Sequence, residues 1–359
     1  MSMDNASSLT IAGDTSLGYY YLQQDKWKSV LERVEVDPLS FFEGVKPELS
    51  DSNHFILNLE TVLSYTDGEA CVGKEYCGID DPDNTLEVLK DLKVSAVTLA
   101  NNHALDFGAE KFKETLVHLH SAGIGVMGAG LRRQDALAPY CFPVVSNSVA
   151  YQNVYVLSAL RASQLYSEFG FFADSRRAGV ARATVGNVAR QVERIREQDP
   201  EGFIIYYPHW QGRDYREVSE RIINHCRQSI DAGVDMVIGH GTHAAGRIEH
   251  YNGKLIFHSI GNFVINSPGR YARMKAAPWS MLVRLDFSSM SSIDDGPEVS
   301  ILPLNTDNRE TGFNVAPLND PREFLELIVS DDDVREKITI GSSSNWILLP
   351  ASVAELQSR

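Results

Sequence analysis

Residues 93–108, KVSAVTLANNHALDFG, contain a strand, a polar loop and the start of a helix. The run 94–99 is apolar and has the length of a buried strand, and the polar pair Asn102-His103 follows it. From residue 108 to 122 the apolar positions recur at helical spacing. A strand followed by a helix, with polar side chains between them, is typical of an α/β unit whose functional residues lie at the carboxyl end of the strand.

The same alternation continues on both sides of this segment. Apolar runs predict strands at residues 9–12, 55–59, 125–127, 154–159, 203–207 and 236–238, and amphipathic patterns predict helices at 25–34, 38–49, 82–92, 184–198 and 217–232. After His243 the pattern changes to strands alone, with a hairpin at 247–259 around Asn252-Gly253 and further strands at 280–287 and 299–304. We therefore predict an α/β (α+β) fold in which two sheets form a sandwich flanked by helices.

The composition is that of an ordinary globular protein with an acidic surface. The 359 residues include 33 Lys and Arg against 48 Asp and Glu, which gives a formal net charge of -15. Because nucleic acids require clustered cations, we predict no nucleic-acid partner. The N-terminal residues have no signal-peptide pattern and no long apolar run occurs, so we predict no membrane span and a cytoplasmic location. The sequence makes no prediction of oligomeric state.

Side chains with metal-binding chemistry follow five of the predicted strands. They are, in chain order, Asp14, Glu60, Asn102, His103, His209, His240 and His243. The carboxyl ends of strands in an α/β fold meet at one edge, so we expect these side chains to converge. Taken singly, each residue could instead be a turn residue, a helix cap or an ion-pair partner. The ordered set favours a site for one or two divalent ions, and its mixture of carboxylate, amide and imidazole suits Mn, Fe or Zn.

Six short motifs occur along the chain in a characteristic order. They are GDTSLG (13–18), NLET (58–61), ANNHALDFG (100–108), HWQGRDY (209–215), IGHGTH (238–243) and HSIGNFV (258–264). Together they resemble the poly-γ-glutamate capsule-synthesis (CapA) family, which is similar in fold to the calcineurin-like metallophosphoesterases. The resemblance implies a four-layer αββα sandwich. We expect this domain to span residues 1–316, with a C-terminal helical extension at 317–359.

The resemblance also implies a role for each site residue. The residues that match metal ligands are Asp14, Glu60, Asn102, His209, His240 and His243, with Glu60 in the bridging position. His103 matches the histidine that protonates a leaving group, and Asp106 would orient His103. Ser16 stands where the phosphoesterases have a histidine, and the last histidine motif is one residue longer than theirs. One of the two metal sites therefore has one imidazole fewer.

Arginines near predicted strand ends are candidates for binding an anionic substrate, although each could instead be a solvated surface residue or an ion-pair partner. Arg161, Arg213 and Arg270, together with Tyr271, are the candidate substrate-binding residues. Guanidinium groups bind phosphate and carboxylate in the same bidentate manner, so these residues do not distinguish the two.

We therefore predict a metal-dependent hydrolase that acts on a small anionic or glutamyl substrate, either a phosphoester or a γ-glutamyl-type amide. The resemblance links it to poly-γ-glutamate and capsule biosynthesis. Two alternatives stay open. The same metal site could serve an enzyme that forms or transfers a glutamyl amide, although the chain has no P-loop motif for an ATP site of that type. The chain could also be a non-catalytic component of a complex that synthesises or exports a capsule polymer.

Overall fold

The computed structural model describes residues 8–66, 68–145, 152–212, 214–267, 269–288, 290, 296–329, 338–340 and 344–350. The strands in these ranges are β1 (Ser8–Ser16), β2 (His54–Leu59), β3 (Val62–Leu63), β4 (Ile79–Asp80), β5 (Ala96–Thr98), β6 (Gly125–Met127), β7 (Ala129–Gly130), β8 (Tyr140–Val144), β9 (Gln152–Arg161), β10 (Gly179–Val180), β11 (Arg182–Ala183), β12 (Phe203–His209), β13 (Met236–Ile238), β14 (Ile248–Tyr251), β15 (Lys254–Phe257), β16 (Asn262–Ile265), β17 (Trp279–Asp286), β18 (Glu298–Asn305), β19 (Ala316–Pro317), β20 (Thr339–Ile340) and β21 (Ile347–Leu348). The α-helices are α1 (Lys28–Val36), α2 (Pro82–Asp91), α3 (Gly108–Ser121), α4 (Arg133–Ala136), α5 (Gln164–Glu168), α6 (Val185–Gln198), α7 (Glu220–Asp231), α8 (Tyr271–Met274), α9 (Asn308–Thr311) and α10 (Arg322–Ile328). Short 3-10 helices span Asp25–Trp27, Pro38–Phe42 and Lys46–Leu49. Within the described ranges, none of these helices has both the length and the apolar character needed to cross a membrane.

Parallel strands form one half of the first sheet and antiparallel strands the other half. The strand order is β20-β21-β18-β17-β1-β2-β5-β6, and β16 and β19 pair with β1 and β18. Strands β1, β2, β5 and β6 run parallel, with α2 and α3 in the connections between them. Strand β17 runs antiparallel to β1, and β18 runs antiparallel to β17. The carboxyl ends of β1, β2 and β5 therefore lie at the same edge.

The second sheet has a parallel centre as well. Its order is β11-β9-β12-β13-β15-β14, with β8 paired antiparallel to β9. Strands β9, β12, β13 and β15 run parallel, so their carboxyl ends also share one edge. The hairpin predicted around Asn252-Gly253 is confirmed as β14 and β15, and both turn residues have the positive φ that a type I′ turn requires.

Strand side chains alternate between different hydrophobic cores. In β2, Phe55 and Leu57 pack with the helices outside the first sheet, whereas Ile56 lies in the core between the two sheets. In β12, Ile205 joins that central core, and Ile204 packs with α6 and α7 on the far side. The layers are therefore helix, sheet, sheet and helix. The predicted α/β (α+β) chain with a four-layer αββα sandwich, the arrangement expected for a calcineurin-like metallophosphoesterase, is confirmed.

Local sequence signals decide where two of the helical segments begin and end. Asp81 accepts a hydrogen bond from the backbone N of Asn84 at 3.0 Å, and Pro82 takes the first helical position of α2. The helix predicted at 38–49 is instead two short 3-10 helices. Pro47 explains the interruption, because its backbone nitrogen has no hydrogen to donate within a continuous α-helix.

Residues after 316 contribute to the first sheet and to the central core. Both β19 and β21 pair with β18. Helix α10 buries Phe324 and Ile328 between the two sheets. The described residues of the predicted extension, 317–359, thus contain strands as well as the predicted helix. The division of the chain at 316 stays a prediction.

Candidate functional site

The candidate site lies where the two sheets meet, at the carboxyl ends of their parallel strands. Asp14 lies on β1, Glu60 follows β2, and Asn102 follows β5 in the first sheet. His209 ends β12 and His240 follows β13 in the second sheet. The convergence of strand ends thus brings together side chains that are far apart in the sequence.

Three buried side chains form a first possible ligand group. Nδ1 of His240 lies 2.9 Å from Oδ1 of Asp14, and Nδ1 of His209 lies 3.7 Å from the same oxygen. The two imidazole nitrogens are 3.1 Å apart. Two nitrogens bound to one zinc ion at ~2.0–2.1 Å in tetrahedral geometry lie roughly 3.3 Å apart, so this spacing suits a shared cation.

A second possible ligand group also contains Asp14. Asp14, Glu60 and His243 each offer a ligand atom, and these atoms all lie within 4.8 Å of one another. Nδ1 of His243 lies 3.5 Å from Oδ2 of Asp14 and 2.9 Å from Oδ1 of Asn262. His243 has a φ of 65°, a conformation that is uncommon for non-glycine residues and clusters at functional sites. The carboxylate common to both groups is thus Asp14, whereas the resemblance assigns the bridging position to Glu60.

Asn102 and Glu60 lie beside the first group. Oδ1 of Asn102 is 2.6 Å from Nε2 of His209, and Oε1 of Glu60 is 3.8 Å from the same nitrogen. The six residues that the sequence suggests as metal ligands therefore lie together in one cluster, which we call the ligand cluster: Asp14, Glu60, Asn102, His209, His240 and His243.

Burial and nearby charges shift the pKa values of Asp14 and Glu60 in opposite directions. Burial alone would raise the pKa of Asp14, but the hydrogen bond from His240 and the nearby histidine charges outweigh it, and the pKa lies below its usual value. Burial and the negative charge of Asp14 raise the pKa of Glu60 well above its usual value. Burial also lowers the pKa of His209 well below 6.5, which favours the neutral ring that binds metals. A cation between the two carboxyl groups would favour the ionised form of both.

Two buried atoms of the ligand cluster have no hydrogen-bond partner among the described residues. They are Oε1 of Glu60 and Nε2 of His240. Unpaired buried polar atoms are rare in folded proteins, because removing them from water without a new partner is unfavourable. The cluster supplies oxygen and imidazole nitrogen atoms and no thiolate, which is a donor set that Mn, Fe and Zn accept. The residues present therefore fit a divalent metal ion.

A buried carboxylate holds His103 next to the ligand cluster. Nδ1 of His103 lies 2.6 Å from Oδ2 of Asp106, which also accepts a hydrogen bond from the backbone N of Gly78 at 2.7 Å. Nζ of Lys74 donates to Oδ1 of Asp106 and lies 3.3 Å from Nδ1 of His103. Burial and the positive charge of Lys74 lower the pKa of His103. The other ring nitrogen, Nε2, is 3.7 Å from Oε1 of Glu60 and so adjoins the cluster.

A cavity of about 390 Å³ lies at this site, within the size range of small-molecule sites. Its lining includes His103 and His243 as well as Arg270. Arg270 donates through Nη2 to Oδ2 of Asp214 at 2.6 Å, and its guanidinium carbon lies 5.4 Å from the ring centre of Tyr215. The cavity thus places three cationic side chains, Lys26, Arg270 and Arg273, beside the edge of the ligand cluster.

The other residues predicted to bind the substrate have different positions. The hydroxyl of Tyr271 donates to the carbonyl oxygen of His243 at 2.8 Å, and its side chain is buried. Tyr271 therefore supports His243 rather than lining the cavity as expected, because its hydroxyl is already hydrogen-bonded. Arg161 donates through Nη1 to the carbonyl oxygen of Gln211 at 2.7 Å, and it holds this cavity-lining loop rather than lining the cavity itself. Arg213 lies outside the described residues.

Residues 8–267 match the family model described as bacterial capsule synthesis protein PGA_cap. The chain belongs to the PGA_cap family. It is 28% identical over 265 residues to the PGA biosynthesis protein CapA of Bacillus subtilis, covering 73% of this chain and 64% of that protein. It is 31% identical over 221 residues to a "probable polyglutamine synthesis accessory protein" of Mycobacterium tuberculosis, covering 60% of this chain and 56% of that protein. The chain thus spans less than two thirds of the length of these two relatives.

A solved structure similar to this PGA_cap chain is that of the NAD nucleotidase NadN of Haemophilus influenzae. The two share 12% sequence identity, and the match covers 91% of this chain and 57% of that one with a TM-score of 0.41.

Two asparagines of the PGA_cap chain that support the ligand cluster were not predicted as site residues. Nδ2 of Asn58 donates to Oδ1 of Asp14 at 2.9 Å and lies 3.3 Å from Oε2 of Glu60. Nδ2 of Asn101 donates in turn to Oδ1 of Asn58 at 2.9 Å. Both residues fall within the motifs NLET and ANNHALDFG, and that position was the available signal.

Ser16, which occupies the histidine position of the phosphoesterases, turns out to have a structural partner. Its hydroxyl donates to Oδ2 of Asp80 at 2.9 Å. The same carboxylate accepts hydrogen bonds from the backbone N of Leu17 and of Tyr19, both at 2.9 Å. Ser16 and Asp80 therefore shape the loop after β1 in this PGA_cap chain.

Proposed function

We propose that this PGA_cap protein is a metal-dependent hydrolase that acts on an anionic substrate. The observation that carries this proposal is the ligand cluster, in which Asp14 belongs to two possible ligand groups and buried atoms of Glu60 and His240 lack other partners. The adjoining cavity and the polarised His103 give the cluster the further parts that hydrolysis requires.

Each ligand group would hold one divalent ion. Asp14, His209 and His240 make up the first group, with Asn102 beside it, and Asp14 is shared with the second group. Such an ion supplies Lewis-acid polarisation of the substrate oxygen and makes water a better nucleophile near neutral pH. The amide of Asn58, hydrogen-bonded to Asp14, keeps the shared carboxylate oriented toward both groups.

His103 would supply the proton that the leaving group needs. Asp106 accepts a hydrogen bond from Nδ1–H, so the donated proton would come from Nε2–H of the imidazolium form, on the side of the cavity, and leave a neutral ring still bonded to Asp106. Nζ of Lys74 forms an ion pair with the buried carboxylate of Asp106 and so fixes its position beside the ring. Asp106 and Lys74 are positioning residues in this scheme, and His103 is the catalytic residue.

The substrate would present an anionic group to Arg270. This arginine lines the same cavity as His103, and the ring of Tyr215 and the carboxylate of Asp214 restrict its orientation. A phosphate or a carboxylate fits this guanidinium equally well. The names of the two curated relatives, which refer to PGA biosynthesis and polyglutamine synthesis, make a γ-glutamyl-type amide a candidate beside a phosphoester.

Metal stoichiometry tests the shared carboxylate directly. The protein is loaded with Mn²⁺ or Zn²⁺, freed of unbound metal and measured for metal content. We expect one or two ions per chain in the wild type, fewer for His243→Ala, and none for Asp14→Asn, because this substitution removes the ligand that both groups share. The exposed His120→Ala is the matched control and should bind as much metal as the wild type. A wild type that binds no metal, or an Asp14→Asn variant that binds as much as the wild type, would contradict the proposal.

Activity assays then distinguish phosphoester hydrolysis, γ-glutamyl amide hydrolysis and amide formation. The metal-loaded protein is incubated with 4-nitrophenyl phosphate and with γ-glutamyl-4-nitroanilide, and we expect hydrolysis of one of them that His209→Ala and EDTA abolish. ATP-dependent formation of a glutamyl amide without hydrolysis would favour the ligation alternative. Bound metal without turnover of either compound would refute the hydrolase proposal for these substrate classes.

A further inference from the structure

A second and larger cleft, of about 1190 Å³, is lined by arginines. It lies between α4, the segment 172–182 and α6. Its arginines are Arg132, Arg133, Arg177, Arg182, Arg190 and Arg194, and we call it the arginine cleft. It shares no lining residue with the cavity at the ligand cluster.

The charge of the arginine cleft is opposite to that of the whole chain. Six arginines line it, and Asp174 is the acidic residue among its lining residues. The chain as a whole has a formal net charge of -15. Like charges gathered in one concave surface repel each other and raise the local concentration of anions. A surface patch that served only solubility would not need this segregation.

Several of these guanidinium groups are held in place and others are free. Arg133 and Arg190 both donate to Oδ1 of Asn187, at 3.0 and 2.6 Å, which brings side chains from α4 and α6 together. The guanidinium groups of Arg132 and Arg194 have no hydrogen-bond or ion-pair partner among the described residues. On α6, Arg190 and Arg194 are four positions apart and therefore neighbours on one helix face, an arrangement of like charges that destabilises a helix unless an anion lies between them.

The size of the cleft favours an extended ligand over a single small anion. Its volume exceeds the ~1,000 Å³ upper range of small-molecule sites. The free groups of Arg132 and Arg194 come from different segments of the chain, so one phosphate or carboxylate group would leave part of the cleft unneutralised. Several anionic groups on one flexible chain would neutralise the whole cleft.

Charge density decides which kind of polyanion fits. A DNA duplex carries one charge per ~1.7 Å, and the net charge of -15 on the chain would repel the parts of the duplex that extend beyond the cleft. A carboxylate chain with one charge per residue has a charge spacing of roughly 3.5 Å when extended, so it suffers less repulsion there. Phe172, the aromatic residue among the lining residues, is buried and covered by the guanidinium of Arg182 at 4.3 Å, so no aromatic lining residue is available to stack on a base.

We propose that the arginine cleft binds a linear polycarboxylate chain. The cleft also lies near the ligand cluster, because Arg182 and His209 are both register partners of Leu160 on the two sides of β9. At ~4.8 Å per strand, their backbones are roughly 10 Å apart. A chain held in the cleft could therefore extend toward the cluster. The proposal itself rests on the arginines and does not require the cluster to be a hydrolase.

Binding of a labelled glutamate 20-mer tests the proposal. Fluorescence anisotropy is measured with the full-length protein at 50 and 200 mM salt, both in EDTA and after metal loading. We expect saturable binding that weakens with salt, and at least about tenfold weaker binding for Arg132→Gln/Arg194→Gln. The control Lys28→Gln/Arg221→Gln removes the same charge from exposed positions outside the cleft and should stay within about twofold of the wild type. Thermal melting checks that both variants fold.

The outcomes separate this proposal from the proposed hydrolase. Binding that persists in EDTA and in His209→Ala supports the cleft even if the metal-dependent activity fails. Equal weakening by the cleft variant and the control variant would overturn it, since the effect would then come from net charge alone. Tighter binding of a 20-base-pair DNA duplex or of polyphosphate than of the glutamate chain would also overturn it, in favour of a phosphate-based ligand.

Discussion

Protonation of His225 should make the protein less stable in mild acid. His225 lies on α7 and stacks on the ring of Tyr206 at 5.8 Å, with Trp210 at 5.5 Å across its edge. Burial, together with the positive charge of Arg221, lowers its pKa from 6.5 to about 4. As the pH falls below 6.5, the unfolded chain takes up a proton before the folded chain does, so unfolding becomes more favourable. The stabilisation is complete above pH 6.5 and is lost as the pH falls toward 4.

The size of the effect follows from the two pKa values. At pH 5 the unfolded histidine is almost fully protonated and the folded one largely neutral, which reduces the free energy of unfolding by about 2 kcal/mol relative to pH 7. The full effect of a shift from 6.5 to about 4 is about 3 kcal/mol, reached below pH 4.

Urea unfolding of wild type and His225→Gln at pH 7 and pH 5 measures this contribution. The substitution removes the titrating ring, so the wild type should lose about 2 kcal/mol more than the variant between these pH values. Other titrating groups contribute to both proteins and cancel in the difference. His120→Gln, at an exposed position, should lose as much stability as the wild type. If the difference between wild type and His225→Gln is the same at both pH values, the proposed burial of a neutral imidazole is wrong.

Three further substitutions test the catalytic scheme and the packing. If the enzyme hydrolyses phosphoesters, His103→Gln should slow the turnover of an alkyl phosphate ester by about 100-fold or more. It should slow the turnover of 4-nitrophenyl phosphate by less than about tenfold, because 4-nitrophenolate leaves without a proton. Equal losses for the two substrates would exclude a proton-donor role for His103. Ile205→Ala in the central core should lower the free energy of unfolding by about 2–5 kcal/mol in urea, whereas Val117→Ala, at a side chain that is 62% exposed, should change it by less than about 0.5 kcal/mol. Gly13→Ala would place a methyl group 1.8 Å from a backbone oxygen and should destabilise the fold by at least about 3 kcal/mol in thermal melting. Gly186→Ala, whose methyl group would meet only the end of the Arg190 side chain at 3.6 Å, should melt at or slightly above the wild-type temperature because Gly186 lies in helix α6. Similar melting of both variants would contradict the close approach at residue 13.

The convergence of the ligand cluster could be predicted because the carboxyl ends of parallel strands lie at one edge of the sheet in α/β folds. Asp14 and His240 are 226 positions apart, yet each follows or ends a run of apolar residues, and the topology then brings them to one edge. Continuous apolar runs predicted strands that are buried on both faces, and the family resemblance supplied the order of the four layers.

Residues whose role depends on a single hydrogen bond could not be assigned in this way. Tyr271 follows a strand in the sequence, as a substrate-binding residue would, and only the structure reveals that its hydroxyl is bonded to the carbonyl oxygen of His243. Asn58 sits within an apolar strand pattern, where nothing distinguishes a buried amide that orients Asp14 from one that faces another core. The arginine cleft could not be predicted from the sequence, because its arginines come from separate segments and each of them alone resembles an ordinary surface residue.

Asp14 belongs to one sheet, and His209 and His240 belong to the other. The contacts between them therefore hold the two sheets together at one end of the sandwich. The same few atoms are also the candidate metal ligands. A substitution at one of these residues would weaken the contact between the two sheets. New substrate specificities should therefore arise first among the cavity residues around Arg270 and in the arginine cleft, where a changed side chain leaves the contacts between the sheets intact.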